Sequence, residues 1–315
     1  MKKIQCILLL AVLAAFVLTG CGADSGTVSE ESQNQKDTYK IYLITKWKNA
    51  PFWEDLDEGC QQAAKEFGNI GYKWTAPEKA QSPLQGKCID EAVAEGANAI
   101  LLSALSLTDL SDNLEKAEEA GVKIIYVDSA ADYPATATLM TDNSAAGKAA
   151  GEAMLKALTE AGVQSGTIGV ASDYPDTVNT DIRGKSFREV FAGTDFTVAP
   201  SVYAGSDPQV AKDALKAHPE YVGFFATNQV PTTAVCEYVK ETPSQTIFIT
   251  FDVAENTLAM IKEGKIYATI EQNGEEMGHE GVEIAVQALN GTIKEKGIRK
   301  DIGVNVITKD NLPNQ

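Results

Sequence analysis

The chain is nearly without histidine. Two residues, His218 and His279, stand far apart among 315, which excludes a His-rich zinc site. Positive charge is also short. The 27 Lys and Arg face 44 Asp and Glu, for a formal net charge of −17. Binding a phosphate backbone needs a basic surface, so a nucleic-acid partner is excluded. No GxSxG, GxxxxGK[ST], HExxH or GxGxxG run occurs, so the signatures of serine hydrolases, P-loop nucleotide binders, zinc proteases and dinucleotide enzymes are all missing. No nucleophile is accompanied by a base and an orienting group, and the chain does not read as an enzyme. It also lacks a D-x-[DN]-x-[DN]-G calcium loop, and no metal or other cofactor is expected. The five cysteines form no CxxC. Cys60 and Cys88 read as helix-core residues, a disulfide between them stays open, and Cys236 completes an odd set downstream of residue 21.

What is present begins with an N-terminal signal. Lys2 and Lys3 precede an apolar run from Ile7 to Leu18, followed by Thr19-Gly20-Cys21. A basic start, a short apolar core and small residues before a cut mark a secretory signal, and the run is short for a bilayer span. The Leu18–Cys21 tetrapeptide resembles the lipoprotein signal of bacteria. That resemblance implies removal of residues 1–20, lipidation of Cys21 and attachment to the membrane facing outside the cytoplasm. Ser, Glu, Gln and Gly dominate the following stretch, so residues 21–38 form a lipidated cysteine and a flexible tether.

From Lys40 onward, strand and helix patterns alternate. The run Tyr39–Ile44 reads as a first strand and Phe52–Phe67 as a helix, with apolar residues three and four apart. Gly71–Thr75, Ala99–Ser103 and Lys123–Val127 read as strands separated by helices over Ser82–Glu95 and Leu110–Ala120. A second set follows Ala137–Thr141. Its helices read as Ser144–Ala161, Asp181–Phe191, Asp207–Ala217, Thr232–Lys240, Asn256–Glu263 and Gly278–Leu289. Its strands read as Thr167–Ala171, Thr197–Val202, Val222–Ala226, Thr246–Phe251, Tyr267–Glu271 and Val304–Ile307. Repeated βα units predict parallel, doubly wound sheets. The strands are too many for one sheet and fit two. The expected class is therefore α/β, with two doubly wound lobes and a ligand cleft between them. One lobe takes residues 39–141 and 273–301, the other 142–272 and 302–315. Short crossovers between such lobes permit hinge closure.

Open α/β sheets bind ligands outside the carboxyl ends of their strands. Asp128, Asp252, Asn228 and Gln272 each lie directly after an apolar strand. Arg183 falls in the first turn of a helix. Lys46 and Asn49 occupy the loop after the first strand, and Phe52 and Trp53 follow Pro51, where a helix begins. Two carboxylates, amides, an arginine and two aromatics suit a polyol or sugar: the polar groups pair with hydroxyls and the rings cover C–H faces. Each has a plainer role. A post-strand Asp also serves as a helix cap, Phe52 and Trp53 serve equally as packing for the first helical turn, and Arg183 and Lys46 serve as solvated side chains. Asp142 and Asn143 read as caps of the next helix. The ligand reading rests on the set sharing one sheet edge.

The segments NAPFW (49–53), TDNSAAGKAAGE (141–152), AHPEYVGFFATN (217–228), FITFD (248–252) and YATIEQ (267–272) resemble the periplasmic sugar-binding proteins of bacterial ABC transporters, in the ribose- and galactose-binding group. The likeness runs from about Tyr39 to Ile307. It implies a monomeric protein that captures a monosaccharide (pentose, hexose or deoxyhexose) by hinge closure and delivers it to a membrane permease. The pattern matches Phe52, Trp53, Asp128, Arg183, Asn228, Asp252 and Gln272 as ligand-binding residues. Two positions depart from ribose binders: Ala50 replaces an asparagine and Ser129 an arginine. Lys46 and the Val127-Asp128-Ser129 run also resemble the binding proteins for autoinducer-2, which leaves that ligand open. Presentation of a ligand to a chemoreceptor would use the same site.

Overall fold

A computed structural model describes residues 39–48, 50–254 and 256–312. The signal, Cys21, the tether and Asn49 lie outside the described residues. The strands are β1 (Tyr39–Ile44), β2 (Ile70–Thr75), β3 (Ala99–Leu102), β4 (Lys123–Val127), β5 (Ala137–Thr141), β6 (Gly166–Ser172), β7 (Phe196–Tyr203), β8 (Gly223–Ala226), β9 (Ile247–Phe251), β10 (Ala268–Gln272), β11 (Ile298–Ile302) and β12 (Val304–Thr308). They form two six-stranded sheets, in the orders β11-β5-β4-β3-β1-β2 and β12-β10-β9-β8-β6-β7. Replacing β1–β5 by β6–β10 turns one order into the other, so the chain carries one doubly wound plan twice. All neighbours pair in parallel except β10 and β12, which run antiparallel.

The helices are α1 (Pro51–Phe67), α2 (Ser82–Ala94), α3 (Ser111–Glu119), α4 (Asn143–Glu160), α5 (Val178–Val190), α6 (Pro208–Ala217), α7 (Gln229–Glu241), α8 (Thr257–Lys262) and α9 (Gly274–Leu289). They cover both faces of each sheet, which is why central strands such as β3, AILL, are buried at every position. The period of two assigns each strand residue to one side. Ile41 and Leu43 join the core beneath α1 and α9, whereas Tyr42 and Ile44 join the core beneath α2 and α3. In the second lobe Phe225, Ile249 and Phe251 pack toward α4 and α5, and Phe224 and Phe248 pack toward α6 and α7.

Two glycines bring helices close enough to set the site. A Cβ on Gly278 of α9 would lie 2.1 Å from the Leu56 carbonyl oxygen of α1, and one on Gly147 of α4 would lie 2.3 Å from the Arg183 carbonyl oxygen of α5. Neither position admits a side chain without separating its helices. The first contact returns α9, which follows a strand of the second sheet, to the first lobe. The second holds α5 down so that Arg183 reaches inward. Cys60, Cys88 and Cys236 are buried and free.

The structure differs from the sequence reading in one strand and three helix starts. β11 pairs with β5, but Arg299, Lys300 and Asp301 are exposed on this edge, so no apolar alternation announces it. Helices α5, α7 and α9 begin three or four residues earlier than their apolar periodicity suggests. The first turns of α5 and α7 place Asn179, Thr180, Gln229 and Val230 against a cavity, and α9 opens with Gly274, Glu275 and Glu276. These turns carry mainly polar residues and glycine, with too few apolar residues to mark a helical stripe.

Candidate functional site

The carboxyl ends of the two sheets meet across a cavity of about 320 Å³, lined by residues of both lobes. Asp128 directly follows β4 and Asp252 directly follows β9, and these strands hold equivalent places in their sheets. Both residues have φ of 63°, in the left-handed region that Asp tolerates better than bulkier residues. The backbone N–H of Asp128 donates to Leu139 O (3.0 Å) and that of Asp252 to Ile270 O (2.8 Å). The backbone of each aspartate is thus held by the strand next to its own.

The first lobe supplies a charge pair and rings. Lys46 Nζ donates to Asp128 Oδ2 at 2.9 Å, and Ser103 Oγ donates to the same oxygen at 3.0 Å. Burial pushes the Asp128 carboxyl up, but Lys46 outweighs it, with help from Ser103 and Arg183, and holds the group below its ordinary value of 3.8. Trp53 is buried and Phe52 half-buried, and their rings meet edge-on at 4.9 Å. Lys46 lies 5.9 Å from the Trp53 ring centre, and exposed Trp47 meets Trp53 edge-on at 5.6 Å. Phe52 both lines the cavity and packs on the core beneath α1.

The second lobe is built around Arg183, which is only 3% exposed. Its guanidinium donates from Nε to Asn143 Oδ1 (2.8 Å), from one terminal nitrogen to Thr227 O (3.1 Å) and from the other to Gln272 Oε1 (3.1 Å). It also stacks on Phe251, 3.6 Å from the ring centre. Gln272 Nε2 donates to Asp252 Oδ1 at 2.8 Å, and Thr141 Oγ1 donates to Gln272 Oε1 at 2.9 Å. Burial pushes the Asp252 carboxyl above its ordinary 3.8, and the opposing pull of Arg183 and Gln272 does not cancel it. Asn228 lines the cavity, and its Oδ1 is buried without a hydrogen-bond partner.

Eight of the nine residues singled out from the sequence therefore line one cavity: Lys46, Phe52, Trp53, Asp128, Arg183, Asn228, Asp252 and Gln272. The ninth, Asn49, lies outside the described residues. Asp142 does cap α4, accepting from the N–H groups of Ser144 and Ala145. Asn143 differs from its expected capping role, because it is buried and serves as an acceptor for Arg183. Sequence reasoning also passed over Asp55, Asp173 and Glu271, which line the cavity. Asp55 had a signal: it stands three residues after Phe52, a spacing that shares a helix face.

The donor set suits a small polar ligand. Acceptors come from Asp128, Asp252 and Asn228, donors from Lys46 and Arg183, and apolar cover from Phe52 and Trp53. The periplasmic binding protein domain model matches residues 41–293. The ribose import binding protein RbsB of Bacillus subtilis is 26% identical over 303 residues, covering 95% of this chain and 97% of its own. An ABC transporter solute-binding protein from Agrobacterium vitis, solved with bound D-fucose, superposes with a TM-score of 0.72 at 26% identity, covering 86% of this chain and 96% of its own. AraP, an arabinose binding protein from Geobacillus stearothermophilus, superposes with a TM-score of 0.78 at 24% identity, covering 87% and 98%, a likeness of fold. The chain belongs to the periplasmic binding protein family, whose members bind solutes rather than transform them.

Proposed function

We propose that this protein is the extracytoplasmic substrate-binding lipoprotein of an ABC importer, that it captures a monosaccharide by closing its lobes, and that it hands the sugar to a membrane permease. One observation carries the reading. Lys46 and Asp128 from one sheet edge, and Arg183, Asp252 and Gln272 from the other, surround the same cavity of about 320 Å³. That volume stands at the small end of ligand pockets, which run from roughly 300 to 1,000 Å³, and suits one ring rather than an oligosaccharide. A ligand touching both lobes binds the closed form better than the open one, and that difference in affinity drives closure. The curated and structural relatives that bind ribose and fucose support a sugar. The Leu18–Cys21 signal supports a lipid anchor on Cys21.

Lys46 favours a second reading. It reaches the cavity and pairs with Asp128, as a lysine serving autoinducer-2 would. A thermal-shift screen separates the two, because a ligand that binds only the folded state raises the melting temperature. The panel holds pentoses, hexoses, deoxyhexoses and autoinducer-2. A shift with a monosaccharide is expected, and a shift with autoinducer-2 alone would replace the sugar reading. For the anchor, Cys21→Ser is expected to release the protein from the membrane fraction of a bacterial host. Retention of the variant would overturn the lipid assignment.

A further inference from the structure

The cavity carries more negative charge than its own cations balance. Lys46 pairs with Asp128, and Arg183 serves the Asp252 side. Asp55 and Glu271 line the same space and form no ion pair within 4 Å among the described residues. They come from different parts of the fold, the second turn of α1 and the end of β10, and both line the cavity beside the start of α9. A Cβ on Gly274, at the start of α9, would stand 3.1 Å from Asp55 Cβ, so this corner is tight.

The charged neighbours of the corner repel rather than relieve. Glu54, Glu58 and Glu275 surround Asp55, and Asp55 and Asp252 act on Glu271. Burial, followed by these like charges, pushes both carboxyls above their ordinary values, and a hydrogen bond from Asn305 offsets this only in part at Glu271. No cation stands among the groups that act on either carboxyl.

We propose that the ligand presents a protonated primary amine to Asp55 and Glu271, so that the substrate class is an amino sugar or an aminated polyol. The proposal rests on the reading of this cleft as a sugar site. An ammonium offers three donors and no acceptor, which fits a corner made of acceptors, and its charge offsets theirs. A hydroxyl supplies one donor and no charge. Calcium is a poorer occupant, because it takes roughly six to eight oxygen ligands and, among the described residues, no group of three or more His, Cys, Asp or Glu side chains is arranged to hold a metal ion.

Titration calorimetry of the full-length protein tests this with matched trios: glucosamine, glucose and N-acetylglucosamine, and the corresponding galactose and mannose sets at pH 7. In at least one trio the free amine is expected to bind ten-fold or more tightly than both neutral partners. Asp55→Asn and Glu271→Gln keep the side-chain shapes, and each is expected to cut that ratio at least five-fold. A neutral sugar that equals or exceeds its amine in every trio overturns the amine proposal and leaves the sugar reading standing. An amine preference unchanged in both variants overturns the assignment to Asp55 and Glu271. Binding of no carbohydrate, in the trios or in the wider panel above, overturns the sugar reading and the proposal with it.

Discussion

Asp128 and Asp252 are the same residue of the same plan, placed in two lobes. Each follows the third strand from one end of its sheet, each has φ of 63°, and each is held by a backbone bond to the neighbouring strand. Their carboxyls nonetheless move in opposite directions, Asp128 down and Asp252 up. The difference lies in where the nearest cation spends its donors. Lys46 places its ammonium on Asp128 at 2.9 Å. Arg183 gives its donors to Asn143, Thr227 and Gln272, and Asp252 receives a neutral amide from Gln272 instead. One lobe carries a self-neutralised acid and the other an acid with capacity left for a ligand. A duplicated fold thus supplies two unlike halves of one site.

The comparison can be broken most severely at Arg183. Arg183→Met removes the donor to Asn143, Thr227 and Gln272 in a buried place, where Gln272 Oε1 keeps only the bond from Thr141. Hydrogen bonds from a charged group are worth about 1.5–3 kcal/mol each, so urea unfolding should show a loss of about 3 kcal/mol or more. Binding of the best sugar should weaken beyond roughly 100-fold. Asp252→Ala follows. It removes the acid with spare capacity, and calorimetry should show about 100-fold weaker binding, because buried ligand hydroxyls lose their acceptor. Lys46→Met should cost less, about 10-fold, and should make Asp128 resemble Asp252 by removing its cation.

The smallest effect is the sharpest test of the difference, and its sign is fixed. The Asp252 carboxyl is held above 3.8, so the folded state binds its proton more tightly than the unfolded state. The stability it contributes is present in acid and is lost as pH rises through the folded value, above 3.8. Asp128 is held below 3.8, so its contribution is present at higher pH and is lost as pH falls through the folded value. Melting curves of wild type against Asp252→Asn and Asp128→Asn should therefore diverge with opposite slopes in two adjacent pH windows. Slopes of the same sign would contradict the comparison.

The sheets and the post-strand residues were legible in the sequence because burial on both faces writes apolar runs, and a polar residue ending such a run is conspicuous. Asp128, Asn228, Asp252 and Gln272 were visible in that way. Most of what stayed hidden has one physical cause. Groups that face the cleft or an exposed edge leave no apolar period, so the first turns of α5, α7 and α9 and the strand β11 were missed. Asn143 was hidden for a different reason. It stands beside the true cap, Asp142, and only the approach of α5 over Gly147 shows that its oxygen belongs to Arg183. Glu271 gained meaning only from the fold, which lines one cavity with the end of β10 and the start of α1.

The central claim is that one small ligand is held by both lobes at once. Titration calorimetry of the best-binding sugar against wild type, Lys46→Met and Asp252→Ala tests it most directly. The account predicts one site per chain and a loss of affinity from either substitution, the larger from Asp252→Ala. Unchanged affinity in either variant, with its melting temperature preserved, would mean that a single lobe holds the ligand and would contradict the account.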